Sequence, residues 1–231
     1  MVKKFNFACT ANQGRSKPSE IFGNEHLREL DRLSEYVAIS SGTSVDEIKA
    51  GIASTSFMVR TINMAYDRGD IFSSNDVDRV LAAIQGDDEA EIKDLYSQAA
   101  QRFSRDEHEY RAQVLQELGL FDRLKKGQDQ TVAKPDVVAV LSMAGRNNDQ
   151  VAQIHRAAGY TLARKQPDIG QIFMKDGASP VLVSVLSAYA RDDPSAETPN
   201  AFGKDEIEYR ETIAALREDV PRAIDRFLSG E

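Results

Sequence analysis

The chain has 231 residues, of which 41% are hydrophobic and 29% are charged, and its formal net charge is −8. This composition argues against wholesale disorder, and the length suits one large domain or two small ones. The single cysteine, Cys9, excludes an intramolecular disulfide, and the lack of tryptophan argues against a base-stacking platform. We find no signal peptide and no apolar run of about 20 residues. We therefore expect no membrane partner and a location in the cytoplasm or in an intracellular viral or phage particle.

The first 19 residues have no helical periodicity, and we expect them to form an extended basic arm. The arm is either disordered or lies on a partner, and a partner would explain the apolar residues Phe5 and Phe7 in this otherwise polar stretch. The arm carries no acidic residue, and its basic side chains are candidate contacts to nucleic-acid phosphates: Lys3, Lys4, Arg15 and Lys17.

Residues 20–127 are predicted to form an N-terminal helical lobe, because apolar residues recur there at spacings of three and four. Two capping boxes, Ser44–Glu47 and Ser104–Glu107, each predict the start of a helix. A further helix is predicted over residues 73–86. The acidic residues Asp87–Glu89 predict the start of the next one, because carboxylates are stabilised at a helix N-terminus.

Residues 134–190 are predicted to form a central helical lobe. Its most apolar run, residues 179–190, opens with Ser179 and Pro180, which suit the N-cap and first position of a buried helix. A buried strand is the alternative, since periodicity does not separate the two in a short run. Residues 191–203 then form a linker, and residues 204–231 form C-terminal helices. The sequence thus predicts an all-α protein of about nine or ten helices.

No arrangement of residues in the sequence predicts a catalyst. The three histidines lack metal-ligand spacing, so we expect no metal site and no cofactor. Residues Gly14–Lys17 lack the spacing of a Walker loop. Cys9 lies in the expected arm without a nearby histidine, which makes it a poor candidate nucleophile. We therefore expect no catalytic residue, no enzymatic activity and no small-molecule substrate.

Two windows resemble helix–turn–helix elements. Residues 45–71 resemble the helix, turn and recognition helix of winged-helix regulators, and residues 151–161 resemble the first half of a repressor-type motif. A DNA-binding regulator is therefore the alternative function. Its candidate DNA contacts in the helical motifs are Arg60, Arg156 and Arg164.

The favoured hypothesis is a non-enzymatic assembly protein that works through protein–protein contacts, either with copies of itself or with another protein. An arm, a helical core and C-terminal helices after a linker are also the plan, by analogy, of nucleoprotein, capsid and scaffold subunits. The candidate interface residues are Phe5, Phe7, Phe227 and Leu228.

Overall fold

A computed structural model describes residues 1–69, 78–79, 82, 85–86, 88–166 and 170–230. Over these residues the chain forms an α/β structure around one six-stranded sheet. The strands are β1 (Lys3–Cys9), β2 (Tyr36–Gly42), β3 (Val137–Ser142), β4 (Thr161–Gln166), β5 (Gly170–Met174) and β6 (Val181–Val185). The helices are α1 (Ser16–Glu29), α2 (Val45–Lys49), α3 (Thr55–Asp67), α4 (Glu89–Glu117), α5 (Gly145–Ala157), α6 (Leu186–Arg191) and α7 (Glu206–Ser229). The prediction of an all-α bundle is therefore wrong.

The sheet has the strand order β2-β1-β3-β6-β5-β4. Strands β2, β1, β3 and β6 run parallel, and the β4–β5 hairpin adds two antiparallel strands beside β6. The order reverses at β1, because the chain leaves it for β2 on one side and later returns to β3 on the other. Such a reversal opens a crevice at the carboxyl ends of the two central strands, where α/β proteins bind ligands.

The strands are not predicted from the sequence because those in the interior of the sheet are buried on both faces. Strand β3 is buried at all its positions, and β1 is buried over its last five residues. Parallel strands covered by helices on both sides read as continuous apolar runs without alternation. The run at residues 179–190, predicted as one buried helix, is β6 followed by the short helix α6.

The predicted N-terminal arm supplies the interior strand β1, which lies between β2 and β3, and the start of α1 instead. Phe5 and Phe7 are completely buried in the core that the sheet forms with α1 and α7. Phe227 and Leu228 are partly buried against the same core, and the ring centroids of Phe5 and Phe227 lie 5.1 Å apart. The four candidate interface residues therefore lie in or against the core of their own chain.

The described residues between β2 and β3 form helices beside the carboxyl ends of the strands. Helix α3 packs on α4 through Met58, Ile62, Ile92 and Leu95. Asp88 caps the start of α4 through bonds from two backbone N–H groups, which confirms the start predicted from the acidic residues. No helix starts at the predicted box Ser104–Glu107, because α4 runs through it without a break. The helix predicted over residues 73–86 falls largely outside the described residues.

The C-terminal part is one continuous helix rather than several. Helix α7 begins at a capping box between Asp205 and Glu208 and contains Pro221 in its interior. Within the described residues no helix has both the length and the hydropathy that a bilayer crossing demands. The lobe boundaries at 20–127 and 134–190 stay predictions.

Candidate active site

Strand β1 ends at Cys9 and α1 begins at Ser16, so the loop between them lies at the crevice between β1 and β3. Among the backbone hydrogen bonds of the described residues, none is donated by an N–H group of residues 11–15. Free N–H groups in a tight turn, followed by the N-terminus of a helix, form a concave surface that binds anions. We call the loop of residues 10–15 the cradle.

Cys9 lies at the base of the cradle with 5% of its surface exposed. Its Sγ is 3.0 Å from Oγ of Ser16, and Ser16 Oγ also donates to Oδ1 of Asn12 at 2.9 Å. Ser16 has one hydroxyl proton, so it donates a hydrogen bond either to Asn12 or to a Cys9 thiolate. Asn12 has a φ of 51°, a left-handed conformation that asparagine tolerates better than most residues. The three side chains thus hold the sulfur and the turn together.

Arg15 closes the cradle at the start of α1 and is 8% exposed. Its Nη1 donates to the carbonyl oxygens of Met143, just after β3, and of Thr198, in the loop before α7, at 3.3 Å each. Burial lowers the pKa of Arg15, while the carboxylates of Glu107 and Glu197 act in the opposite direction. A guanidinium keeps its charge under such shifts. Arg15 therefore provides a fixed cation beside Cys9.

The outside of the cradle is supported by α4 and α7. Gly14 has no side chain, and a Cβ at this position would lie 1.8 Å from Oε1 of Glu107. Tyr209 Oη donates to the Gly14 carbonyl oxygen at 3.0 Å, and Arg111 Nη1 donates to the Gln13 carbonyl oxygen at 2.8 Å. Burial raises the pKa of Glu107 to about 7, although Arg111 and Arg15 favour its charged form. The cradle therefore rests on a carboxyl group that titrates near neutral pH.

A cavity of about 590 Å³ opens over the cradle. One wall is the cradle itself with Cys9 and Arg15, and Glu107 is the single carboxyl residue among the described residues that line the cavity. The opposite wall comes mainly from α3, α4 and the loop before α7, and it is rich in large apolar side chains: Phe57, Met58, Tyr96 and Phe202. This cavity has room for an anionic group at the cradle and an aromatic group beside it.

The structure brings two of the basic residues predicted from sequence to this part of the molecule, Arg15 in the cradle and Lys17 in the first turn of α1. Lys3 and Lys4 begin β1 at the opposite end of the strand, where Lys4 pairs with Asp136. The three arginines proposed to contact DNA are exposed and lie on three separate elements, α3, α5 and β4: Arg60, Arg156 and Arg164.

Neither helix–turn–helix window has the expected form. In the first, α2 is five residues long, and part of the region after α3 lies outside the described residues. In the second, α5 ends at Ala157 and strand β4 follows at Thr161, so the turn leads into a strand and not into a recognition helix.

The sequence alone makes Cys9 a poor candidate nucleophile, and it does not mark Asn12, Ser16 or Glu107 as site residues. The available signal was the pair Cys9 and Arg15, with five residues between them and a serine after the arginine, between a strand and a helix. That signal needs β1 as its context, and β1 was assigned to an arm. Among the described residues no cluster of three or more side chains is suited to hold a metal ion.

Neither a protein-family model nor a curated protein matches this chain, but several solved structures do. A protein tyrosine phosphatase from Entamoeba histolytica, with Hepes in the active site, has a TM-score of 0.54 at 11% identity and covers 99% of this chain and 98% of its own. A YwlE mutant from Bacillus subtilis has a TM-score of 0.52 at 13% identity, and the match covers 98% of this chain and 99% of that one. A low molecular weight phosphotyrosine phosphatase from Vibrio cholerae O395 has a TM-score of 0.52 at 11% identity, and the match covers 99% of this chain and 98% of that one.

At these identities the matches show that the chain shares the fold of low molecular weight phosphotyrosine phosphatases. They contradict the expectation of a non-enzymatic assembly protein and its helix–turn–helix alternative. The matched chains are named as phosphatases, and the matches extend over nearly their whole length. They also contradict the expectation that no small-molecule substrate is involved, because the first of them holds Hepes in its active site.

Proposed function

We propose that this chain hydrolyses phosphate monoesters of aromatic alcohols, with Cys9 as the nucleophile. The observation that carries the proposal is the cradle, in which free N–H groups, the start of α1 and the Arg15 guanidinium surround the sulfur of Cys9. This arrangement suits a phosphoryl group, because its oxygens accept hydrogen bonds and carry negative charge. The names of the phosphatases that share the fold support the same chemistry.

In the first step the Cys9 thiolate attacks phosphorus, an S–P bond forms, and the P–O bond to the alcohol breaks. Charge on the equatorial oxygens of the transferring group is stabilised by the cradle N–H groups and by Arg15. Ser16 Oγ is 3.0 Å from Sγ, and its hydroxyl donates a hydrogen bond to the thiolate, which stabilises the negative sulfur before attack. In the second step water attacks phosphorus and gives a proton to the carboxylate that protonated the alcohol, the S–P bond breaks, and phosphate leaves with the thiolate restored.

The departing alcohol oxygen needs a proton, and we assign it to Glu107. It is the one carboxyl residue among the described residues lining the cavity, and a pKa of about 7 leaves it protonated in about half of the molecules at pH 7. The second candidate is Asp193, because it belongs to the loop that also carries Thr198 and Phe202 to the site. In this structure its carboxylate accepts hydrogen bonds from Ser195, which lower its pKa.

The apolar wall of the cavity supports an aromatic leaving group. Tyr96 and Phe57 lie in edge contact, with ring centroids 6.0 Å apart, and both face the cavity with Met58 and Phe202. Such a surface binds an aryl ring better than a polar sugar. We also propose a cytoplasmic location, because the reaction requires a reduced Cys9.

The test is hydrolysis of para-nitrophenyl phosphate by the wild type and by Cys9→Ser. Loss of the nucleophile is expected to lower kcat by about 10⁴-fold or more. The serine variant keeps the size of the side chain, so it is expected to retain phosphate binding in a calorimetric titration. A phosphocysteine trapped by acid quench identifies the intermediate directly. Undiminished hydrolysis by Cys9→Ser would refute the mechanism.

The proton donor is tested with Glu107→Gln and Asp193→Asn on substrates that differ in the basicity of the departing alcohol. Loss of the donor slows esters of poorly acidic alcohols more than that of para-nitrophenol, which leaves readily as an anion. We expect this pattern for Glu107→Gln. If Asp193→Asn shows this pattern and Glu107→Gln does not, the proton donor is Asp193 and not Glu107.

A further inference from the structure

A second cavity, of about 440 Å³, lies on the other side of the cradle loop. Gln13 and Gln128 contribute to the walls of both cavities. The second cavity is formed by the start of α1, by α4 and by the segment from Phe121 to Gln128, and no carboxyl residue is among the described residues that line it. We call it the basic pocket after its cationic residues, which are Lys17, Arg111, Lys125 and Lys126.

Lys17 is the strongest indication of a ligand. It is 5% exposed and lines the basic pocket, yet it makes no hydrogen bond or ion pair within the described part of the chain. An ammonium group needs hydrogen-bond acceptors, and no carboxyl residue among the described residues that line the pocket supplies one. The neighbouring position in α1, Ser16, is occupied with Cys9 and Asn12 and so does not supply such an acceptor.

Arg111 adds a second buried cation with unused hydrogen-bonding capacity. It is 4% exposed and donates through Nη1 to the Gln13 carbonyl oxygen, while its Nε is buried without a partner among the described groups. Burial and the charge of Arg111 lower the pKa of the adjacent His108, so this imidazole adds a neutral donor or acceptor.

The other two lysines differ in how much charge they offer. Lys125 pairs with Oε1 of Glu20 at 2.7 Å, so its charge is largely compensated. Lys126 is exposed and has no partner among the described residues. The carboxyl group of Glu107 lies on α4 near Arg111, but it faces Gly14 and does not line this cavity.

From these observations we propose that the basic pocket binds a second phosphate-type anion, held by Lys17 and Arg111 inside and by Lys126 at the opening. The cavity is larger than one phosphate, so it has room for a small phosphorylated molecule. Because Asn12 and Gln13 of the cradle also line this pocket, an anion bound there touches the outside of the loop that holds Cys9. The proposal stands whether or not Cys9 is a nucleophile.

The test is a calorimetric titration of the full chain with inorganic phosphate, in a buffer without other multivalent anions. We expect the wild type to bind two phosphates per chain. Lys17→Met is expected to weaken one of them by about tenfold or more, the effect of losing a hydrogen bond to a charged group. Arg15→Met is expected to weaken the other. Lys165→Met, which removes an exposed lysine on β4, is the matched control and is expected to keep both.

Folding and binding are separated by two further measurements. Lys17→Met is expected to have a Tm in phosphate-free buffer no lower than that of the wild type, because methionine fits a buried site without a charge. Lys126→Met is expected to weaken the same phosphate as Lys17→Met does, with an unchanged Tm. If both Lys17→Met and Lys126→Met bind two phosphates as the wild type does, the basic pocket is not an anion site.

Two other outcomes separate this proposal from the proposed activity. A single phosphate that depends on Lys17 and not on Arg15 would support the basic pocket and refute the cradle as a phosphoryl site. A single phosphate that depends on Arg15 alone would refute the basic pocket. Where two phosphates bind, displacement of both by one molecule of a ligand with two phosphoryl groups would identify the second anion as part of the substrate. If the ligand displaces only one of the two phosphates, the second anion is a separate molecule and not part of the substrate.

Discussion

Replacement of Glu107 by glutamine tests whether the buried carboxyl group beside the cradle makes the stability of the fold depend on pH. Burial raises the pKa of this carboxyl group from 4.5 to about 7. Unfolding returns the group to water and to its ordinary pKa. The folded chain therefore binds one more proton than the unfolded chain between these two values. Wild-type stability is expected to fall as the pH rises through this window, because folding keeps a proton that the unfolded chain releases.

The magnitude follows from the shift. A change from 4.5 to about 7 corresponds to about 3 kcal/mol, at about 1.4 kcal/mol for each pKa unit. The contribution of Glu107 to the free energy of unfolding is fully present below pH 4.5 and is lost by about pH 8. Glutamine does not titrate, so Glu107→Gln is expected to lack this loss and to gain on the wild type by that amount across the window.

The assay is urea unfolding at several pH values from 4.5 to 8 for the wild type, Glu107→Gln and Glu109→Gln. Glu109 is an exposed carboxylate two residues away on the same helix, so its replacement is the matched control. The difference between the Glu107→Gln and wild-type curves should change with pH, and that between Glu109→Gln and the wild type should stay nearly flat. Parallel curves for the wild type and Glu107→Gln would show that the burial of this carboxyl group does not perturb its titration.

Three further substitutions test the packing around the site. Gly14→Ala is expected to weaken the phosphate that depends on Arg15 in calorimetry, because its Cβ would lie 1.8 Å from Oε1 of Glu107; unchanged binding of that phosphate would mean that the carboxyl group moves aside freely. Asp219→Ala is expected to lower the free energy of unfolding by about 1–3 kcal/mol in urea, because Ser187 loses a buried partner while the Arg191 side chain, 40% exposed, stays hydrated; a loss under about 0.5 kcal/mol would argue against this network. Asn12→Gly and Asn12→Ala both lose the side-chain hydrogen bonds of Asn12, and Asn12→Ala is expected to be about 1–2 kcal/mol less stable than Asn12→Gly in urea because alanine is strained in the left-handed turn; equal stability of the two would exclude strain there.

Local start signals were the part of the structure that the sequence predicted well. The acidic residues before α4 were placed correctly at its beginning, and α2 starts directly after Ser44 as predicted, although no capping bond forms there. These signals act over a few residues and depend little on the rest of the chain. The box Ser104–Glu107 failed because tertiary packing carries α4 through it and turns Glu107 towards Gly14.

The sheet was not predicted because its central strands have no polar face. Strand β3 is buried at every residue, and β1 holds Phe5 and Phe7 in the core, so neither shows the alternation that marks a half-buried strand. The candidate site was lost with the sheet. Cys9 becomes notable when a strand is seen to end there and a helix to begin at Ser16.

The contacts that hold the cradle have a consequence for how the site forms during synthesis. The bonds from Arg15 reach 128 and 183 residues along the chain, and Tyr209 reaches back 195 residues to Gly14. Contacts at such separations form late, because the intervening chain must first be ordered. A nascent chain that ends before α7 lacks the hydroxyl that fixes Gly14. The cradle is therefore complete only after α7, which is synthesised later, has packed against it.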